Sequence, residues 1–161
     1  LESTADFLLY FLNQVRENYD YIIVDTQPTR DSMILSNALV AADYVLIPMM
    51  CDSFSEDSAF RTYSICNELR KNPKTNLKGI GVILTMVDKG AATRETREEC
   101  QRVLGPTLFK TEIPSALAVK TSVRRCVPVC YSAKTQPIGK SYVAAYKELK
   151  QRLEKLDKEE N

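Results

Sequence analysis

A carboxylate at the end of an apolar run is the clearest chemical signal in the chain: Tyr21-Ile22-Ile23-Val24 leads directly into Asp25, Thr26, Gln27 and Pro28. Four apolar residues bounded by turn signals predict a short strand buried on both faces, of the kind found in parallel sheets. Asp25 then falls at the carboxyl end of that strand. In open α/β sheets this end faces the ligand crevice, where an acid can hold a magnesium ion and its nucleotide through water. An Asp at this place can equally cap the next helix, and the octapeptide alone leaves both roles open.

Other chemistry is narrowed by what the composition omits. The 161 residues contain no histidine, which removes Ser-His-Asp and Cys-His catalysis and the commonest zinc sites. Five cysteines, at positions 51, 66, 100, 126 and 130, have an odd count and no C-x-x-C spacing. Neither a disulfide framework nor a structural zinc site is expected, and a reducing cytosol fits best. Cys126 and Cys130, in extended chain, would stand about 13 Å apart, too far to bridge. Lys+Arg 22 against Asp+Glu 21 leaves a net charge of +1, so attraction to DNA must come from a local patch. There is no signal peptide, and no apolar run approaches the ~20 residues needed to span a bilayer. The chain starts at Leu1, which suggests a piece of a longer protein.

The elements that would position Asp25 follow from periodicity. Ala5 to Asn18 carries Phe7, Leu8, Phe11, Leu12 and Val15 at helical spacing, and Ser32 to Ala42 predicts a second helix. Tyr44 to Pro48 and Ile80 to Met86 read as buried strands. Between them Ser55 can cap a helix with Glu56 and Asp57 in its first turn and Ala59, Tyr63, Cys66 and Leu69 on its inner face. Thr93 opens a further helix closed by Gly105 and Pro106. Leu108 to Ile113 and Val127 to Tyr131 are shorter strand candidates around a basic segment with Lys120, Arg124 and Arg125. The last helix has one apolar stripe of Ile138, Tyr142, Ala145, Tyr146, Leu149, Leu153 and Leu156. Alternating strands and helices predict an α/β fold with a layered, mostly parallel sheet, as a single domain over 1–161 with residues 156–161 frayed. Arg94, Arg97 and Glu98 read as a solvated helix face, and Met49 and Met50 as core fillers.

Taken in order, YDYIIVDTQP, LSNALVAADYVLIPMMCD, GIGVILTMVD, TEIP, VPV and GKSYVAAY resemble the ParA/Soj/MinD family of partitioning ATPases, closest to the ParA/Soj branch. The likeness runs from about Tyr19 to Leu153. It implies a P-loop NTPase fold, an ATP and Mg2+ cofactor pair, ATP-dependent homodimerisation, DNA binding without sequence preference, and hydrolysis stimulated by a ParB-like centromere-binding partner. Asp25 falls on the Walker B acid that reaches magnesium, and Thr26, Gln27 and Pro28 on the switch that senses the terminal phosphate. The family usually has a double proline where this chain has Gln27-Pro28. Thr85 to Asp88 and Pro114 to Leu117 fall on loops where family members approach the base, which makes Thr85, Asp88, Pro114 and Ser115 the nucleotide-binding candidates. Family arginines after the Ile-Pro pair are replaced by Ser115 and Ala118, and Lys120, Arg124 and Arg125 are the candidates to supply the lost DNA contacts. The implied location is cytoplasmic and nucleoid-associated.

The family's glycine-rich phosphate loop is not found within these 161 residues. Gly139-Lys140-Ser141 imitates its end, but the required glycine five positions earlier is Lys134, and Pro137 marks a helix start instead. Without that loop the stretch should bind no ATP or magnesium and hydrolyse nothing by itself. The strand leading to the loop would run between the Asp25 and Tyr44 strands, so this stretch should close its sheet by direct pairing or with a second chain. The alternative is a naturally shortened, non-catalytic member serving as a binding or regulatory module. No membrane partner is expected, because the tail from Lys155 lacks an aromatic apolar face and ends acidic.

Overall fold

Helices and strands alternate through the computed structural model, which describes residues 7–26, 33–72 and 75–159. The chain divides into two compact units, one formed by residues 1–45 and 64–80, the other by 46–63 and 81–161.

In the first unit, α1 (Phe7–Val15) continues into a 3-10 turn over Arg16–Asn18, and α2 spans Met33–Ala41. The helical spacing forms the helix predicted, but not its burial: no α1 side chain is buried, and Phe7, Tyr10 and Phe11 are exposed. α1 packs on α2, where the Leu8 N–H donates to Asn37 Oδ1 at 3.3 Å. Arg16 clasps Asp43 with bonds of 2.8 and 2.6 Å, and the Asp43 carbonyl accepts the N–H groups of Lys78 and Gly79.

The predicted strand before Asp25 does not form. Tyr21–Val24 has no strand pairing and no backbone hydrogen bond to another described residue, and Ile23 is 91% exposed. β-branched residues favour extended backbone, but a strand also needs a ladder partner to satisfy its amides. None is offered among the described residues.

The parallel sheet is built from β1 (Tyr44–Met50) and β2 (Gly79–Thr85), with α3 (Ser53–Arg70) between them in sequence. β2 is buried from Gly79 through Leu84, as a strand covered on both faces should be. β1 is an edge. Ile47 and Met49 are buried, while Leu46, Pro48 and Met50 are exposed, which corrects the expectation of a doubly buried strand with both methionines inside. Pro48 has no amide to give a ladder, and an edge tolerates that. Thr85 Oγ1 donates to the Met49 carbonyl at 3.2 Å and ties the two strand ends together. On the other side of β2, Leu108 bridges Val82 and Pro114 bridges Val87, both parallel, supported by Phe109 N–H to Val82 O at 2.8 Å and Ile113 N–H to Leu84 O at 2.9 Å.

Asp52, not Ser55, caps α3: its carboxylate accepts the Ser55 N–H at 2.9 Å and hydroxyl at 2.8 Å. α4 (Ala91–Leu104) ends where predicted, with Gly105 at φ 50° and Pro106 next. That left-handed turn suits glycine alone. The remaining elements are α5 (Leu117–Arg124), α6 (Val129–Ser132) and α7 (Pro137–Glu159). α6 replaces the predicted strand over Val127 to Tyr131, because Pro128 places Val129 at a helix start and four residues suffice for one turn. The core here joins Ile83, Phe109, Ile113, Val129, Ala133 and Ile138. α7 enters it through Gly139, where a Cβ would lie 2.2 Å from the Ala133 carbonyl oxygen. The helix continues past Leu156 to Glu159. Tyr142 and Tyr146, assigned to its apolar stripe, are instead exposed, since they stand at the margin of the face that carries Ile138.

Candidate functional site

Asp25 is exposed and Thr26 half-buried in the first unit; Gln27 and Pro28 lie outside the described residues. The Asp25 carboxylate has no hydrogen bond or ion pair with a described residue. Among the described residues no cluster of three metal-ligating side chains occurs. Magnesium does not need one, because it is commonly held by one or two carboxylates with waters and phosphates completing its shell. One carboxylate without a partner among the described residues is compatible with such an ion.

In the second unit the four candidates at the sheet's carboxyl edge are brought together. The Val87 N–H donates to Ile113 O at 3.1 Å and the Ser115 N–H to Val87 O at 3.0 Å, which sets Pro114 and Ser115 beside the loop from Thr85 to Asp88. Met86 takes φ 52° in that loop and is exposed. Asp88 is committed locally. Its Oδ1 accepts the Thr93 hydroxyl at 2.5 Å and the Gly90 N–H at 2.8 Å, and these bonds, the hydroxyl first, hold its carboxyl below the ordinary range. Its visible role is to tie the loop to the first turn of α4.

Lys120 and Arg124 are exposed on α5, and Arg125 is the exposed residue that ends it. None pairs with an acid among the described residues, whereas Arg16, Arg97, Arg102 and Arg152 each do. Arg97, read from sequence as solvated, grips Glu112 at 2.6 and 2.9 Å, linking α4 to the segment before Pro114. Cys66 and Cys100 are fully buried, and burial pushes their thiols up to about 11 and about 12, so they are inert packing groups.

A clamp not anticipated from the sequence fixes the edge. Glu148 on α7 accepts the backbone N–H groups of Lys110 and Thr111, each at 2.9 Å. Arg152, one turn on, donates to Glu148 at 2.9 Å, to the carbonyls of Pro106 and Leu108 at 2.9 and 2.8 Å, and lies 4.3 Å over the Phe109 ring. Burial raises the Glu148 carboxyl, but the Lys110 amide, Arg152 and the Thr111 amide together outweigh it and hold it below its ordinary value. A depressed carboxylate stabilises the fold above its unfolded value of 4.5, and that contribution is lost as pH falls through the folded value. Glu148→Gln should cost about 2–3 kcal/mol at neutral pH, since it leaves one backbone donor facing an amide NH2. Denaturant titration should show this loss, and it should shrink below the unfolded value as the wild-type acid protonates.

The parallel sheet and the helix crossover between its strands make an α/β fold. A protein-family model described as an AAA domain matches residues 2–79, which include Asp25. The sporulation initiation inhibitor protein Soj of Bacillus subtilis (strain 168) is 34% identical over 106 residues, covering 64% of this chain and 41% of Soj. The chromosome partitioning protein ParA of Myxococcus xanthus (strain DK1622) is 29% identical over 143 residues, covering 88% of this chain and 50% of that protein. In fold, the structure of apo McdA from Cyanthece matches with a TM-score of 0.78 at 22% identity, over 91% of this chain and 59% of McdA. The chain is thus similar, in sequence and in fold, to the ParA/Soj partitioning ATPases. It spans about half the length of the curated relatives it matches.

Among the described residues no helix is long and apolar enough to cross a membrane.

Proposed function

We propose that these residues form the magnesium-anchoring and DNA-contacting part of a ParA-like ATPase that moves plasmid or chromosomal DNA. The observation that supports this is the Asp25 carboxylate, exposed directly after an apolar run and without a partner among the described residues, inside the segment matched by the AAA-domain model. Asp25 would hold magnesium through water, and Thr26, Gln27 and Pro28 would answer to the terminal phosphate. Magnesium supplies charge neutralisation between the phosphates when bound. Thr85, Pro114 and Ser115 would border the base, with Asp88 holding their loop in place through α4. Homodimerisation on ATP and stimulation by a ParB-like partner belong to the same reading, supported by the kinship with Soj and ParA.

The reading requires a phosphate loop that these 161 residues do not contain, so turnover belongs to a longer protein. ATP hydrolysis should be measurable in a chain extended upstream through such a loop and absent from residues 1–161. Turnover by residues 1–161 alone would contradict it. Lys120, Arg124 and Arg125 would neutralise DNA phosphates. In the extended chain with ATP, Arg124→Ala/Arg125→Ala should weaken duplex binding regardless of sequence and make the slope of log K against log salt shallower by about two. An unchanged slope in fluorescence anisotropy would remove these two residues from the contact.

A further inference from the structure

The turn between α5 and α6 is exposed at every position from Val123 to Pro128, and DNA contact explains only part of what it displays. Arg124 and Arg125 suit phosphates. Val123, 71% exposed, and Val127, 40% exposed, do not, nor do Leu117 and Tyr131 on the helices either side, at 76% and 74%. The turn is also closed by its own backbone. Cys126 takes φ 51°, and the Cys126 and Val127 N–H groups bond back to the Val123 and Ser122 carbonyls at 3.1 Å each, which closes α5 with a tight left-handed cap. Beneath it, Ser122 and Val129 are buried, so the knuckle stands on a packed base.

Its charge is one-sided over a long stretch. Between Glu112 and Glu148 the sequence has no acidic residue, while Lys120, Arg124, Arg125, Lys134, Lys140 and Lys147 all fall there. In a chain of net charge +1 this is a local concentration. Exposed apolar side chains beside Lys120, Arg124 and Arg125, which have no acid partner among the described residues, complement a surface that is anionic outside and apolar just beneath.

We propose that the α5–α6 knuckle docks the protein peripherally on an anionic lipid bilayer, with Val123 and Val127 entering the headgroup boundary and Arg124 and Arg125 on lipid phosphates. This site is distinct from the acidic tail, whose sequence argued against membrane contact, and it needs no spanning helix.

The test is co-sedimentation of the protein with vesicles of phosphatidylglycerol and phosphatidylcholine against phosphatidylcholine alone, beside anisotropy on duplex DNA. Binding to the anionic vesicles should be roughly tenfold tighter or more. Val123→Ser/Val127→Ser should weaken vesicle binding about tenfold and leave DNA binding unchanged, because serine keeps the charge and removes the inserted carbon. Both positions are exposed, and a circular dichroism melt matching wild type would show that the fold is intact. Equal binding to both vesicle types, binding to DNA alone, or vesicle binding that the serine variant leaves intact would each overturn the proposal.

Discussion

Gly139→Ala should destabilise the protein by about 3 kcal/mol. The added Cβ would lie 2.2 Å from the Ala133 carbonyl oxygen, 2.7 Å from its carbon and 3.0 Å from the Lys134 Cα. All three atoms are backbone, so no side chain can swing aside. Relief requires the α6–α7 connection to move, and that pulls Ala133 and Ile138 out of the core they share with Ile83 and Phe109. Helix propensity alone would favour alanine here by ~1 kcal/mol, so the sign of the measured change separates the two effects. Denaturant unfolding that shows no loss, or a gain, would mean that α7 does not approach Ala133 this closely. The same result also bears on the Gly-Lys-Ser imitation of a phosphate loop: Gly139 is needed for contact with backbone, with no phosphate involved.

Asp25→Ala, in a chain extended through its phosphate loop, should lower ATP turnover by about a hundredfold or more. The carboxylate is exposed and holds no structural partner among the described residues, so its removal should leave the melting temperature within about 1–2 °C of wild type. A loss of activity without a loss of stability marks a residue that acts on the ligand. A parallel fall in both would mark a structural acid, and unchanged turnover would remove Asp25 from the reaction. Asp25→Glu should recover little, because magnesium demands near-ideal octahedral distances and a longer arm displaces the ion from the phosphates.

Local signals proved legible where they act over a few residues. Helical spacing located α1, α3 and α7, the Gly105-Pro106 pair stopped α4, and the continuous apolar run from Ile80 identified β2. Failures came where distant partners decide. Tyr21–Val24 has strand composition, yet a strand exists only as half of a ladder, and no described segment pairs with it. Asp52 and Ser55 are equally good capping types three residues apart, and only the backbone path shows which one precedes the first turn. The Glu148–Arg152 pair has ordinary i,i+4 spacing. Nothing in it announces that both side chains reach across to residues 106–111. That Thr85, Asp88, Pro114 and Ser115 share one sheet edge was legible through the resemblance, whereas the commitment of Asp88 to Gly90 and Thr93 emerged only from coordinates.

The central claim, that Asp25 anchors the divalent ion of a nucleotide switch, can be read without turnover. Manganese bound in place of magnesium to the loop-containing protein with a non-hydrolysable ATP analogue gives an electron paramagnetic resonance titration of the site itself. Wild type should bind one manganese per nucleotide, and Asp25→Ala should weaken that binding about tenfold or more while the analogue is still held. Equal manganese affinity in the two proteins would contradict the claim.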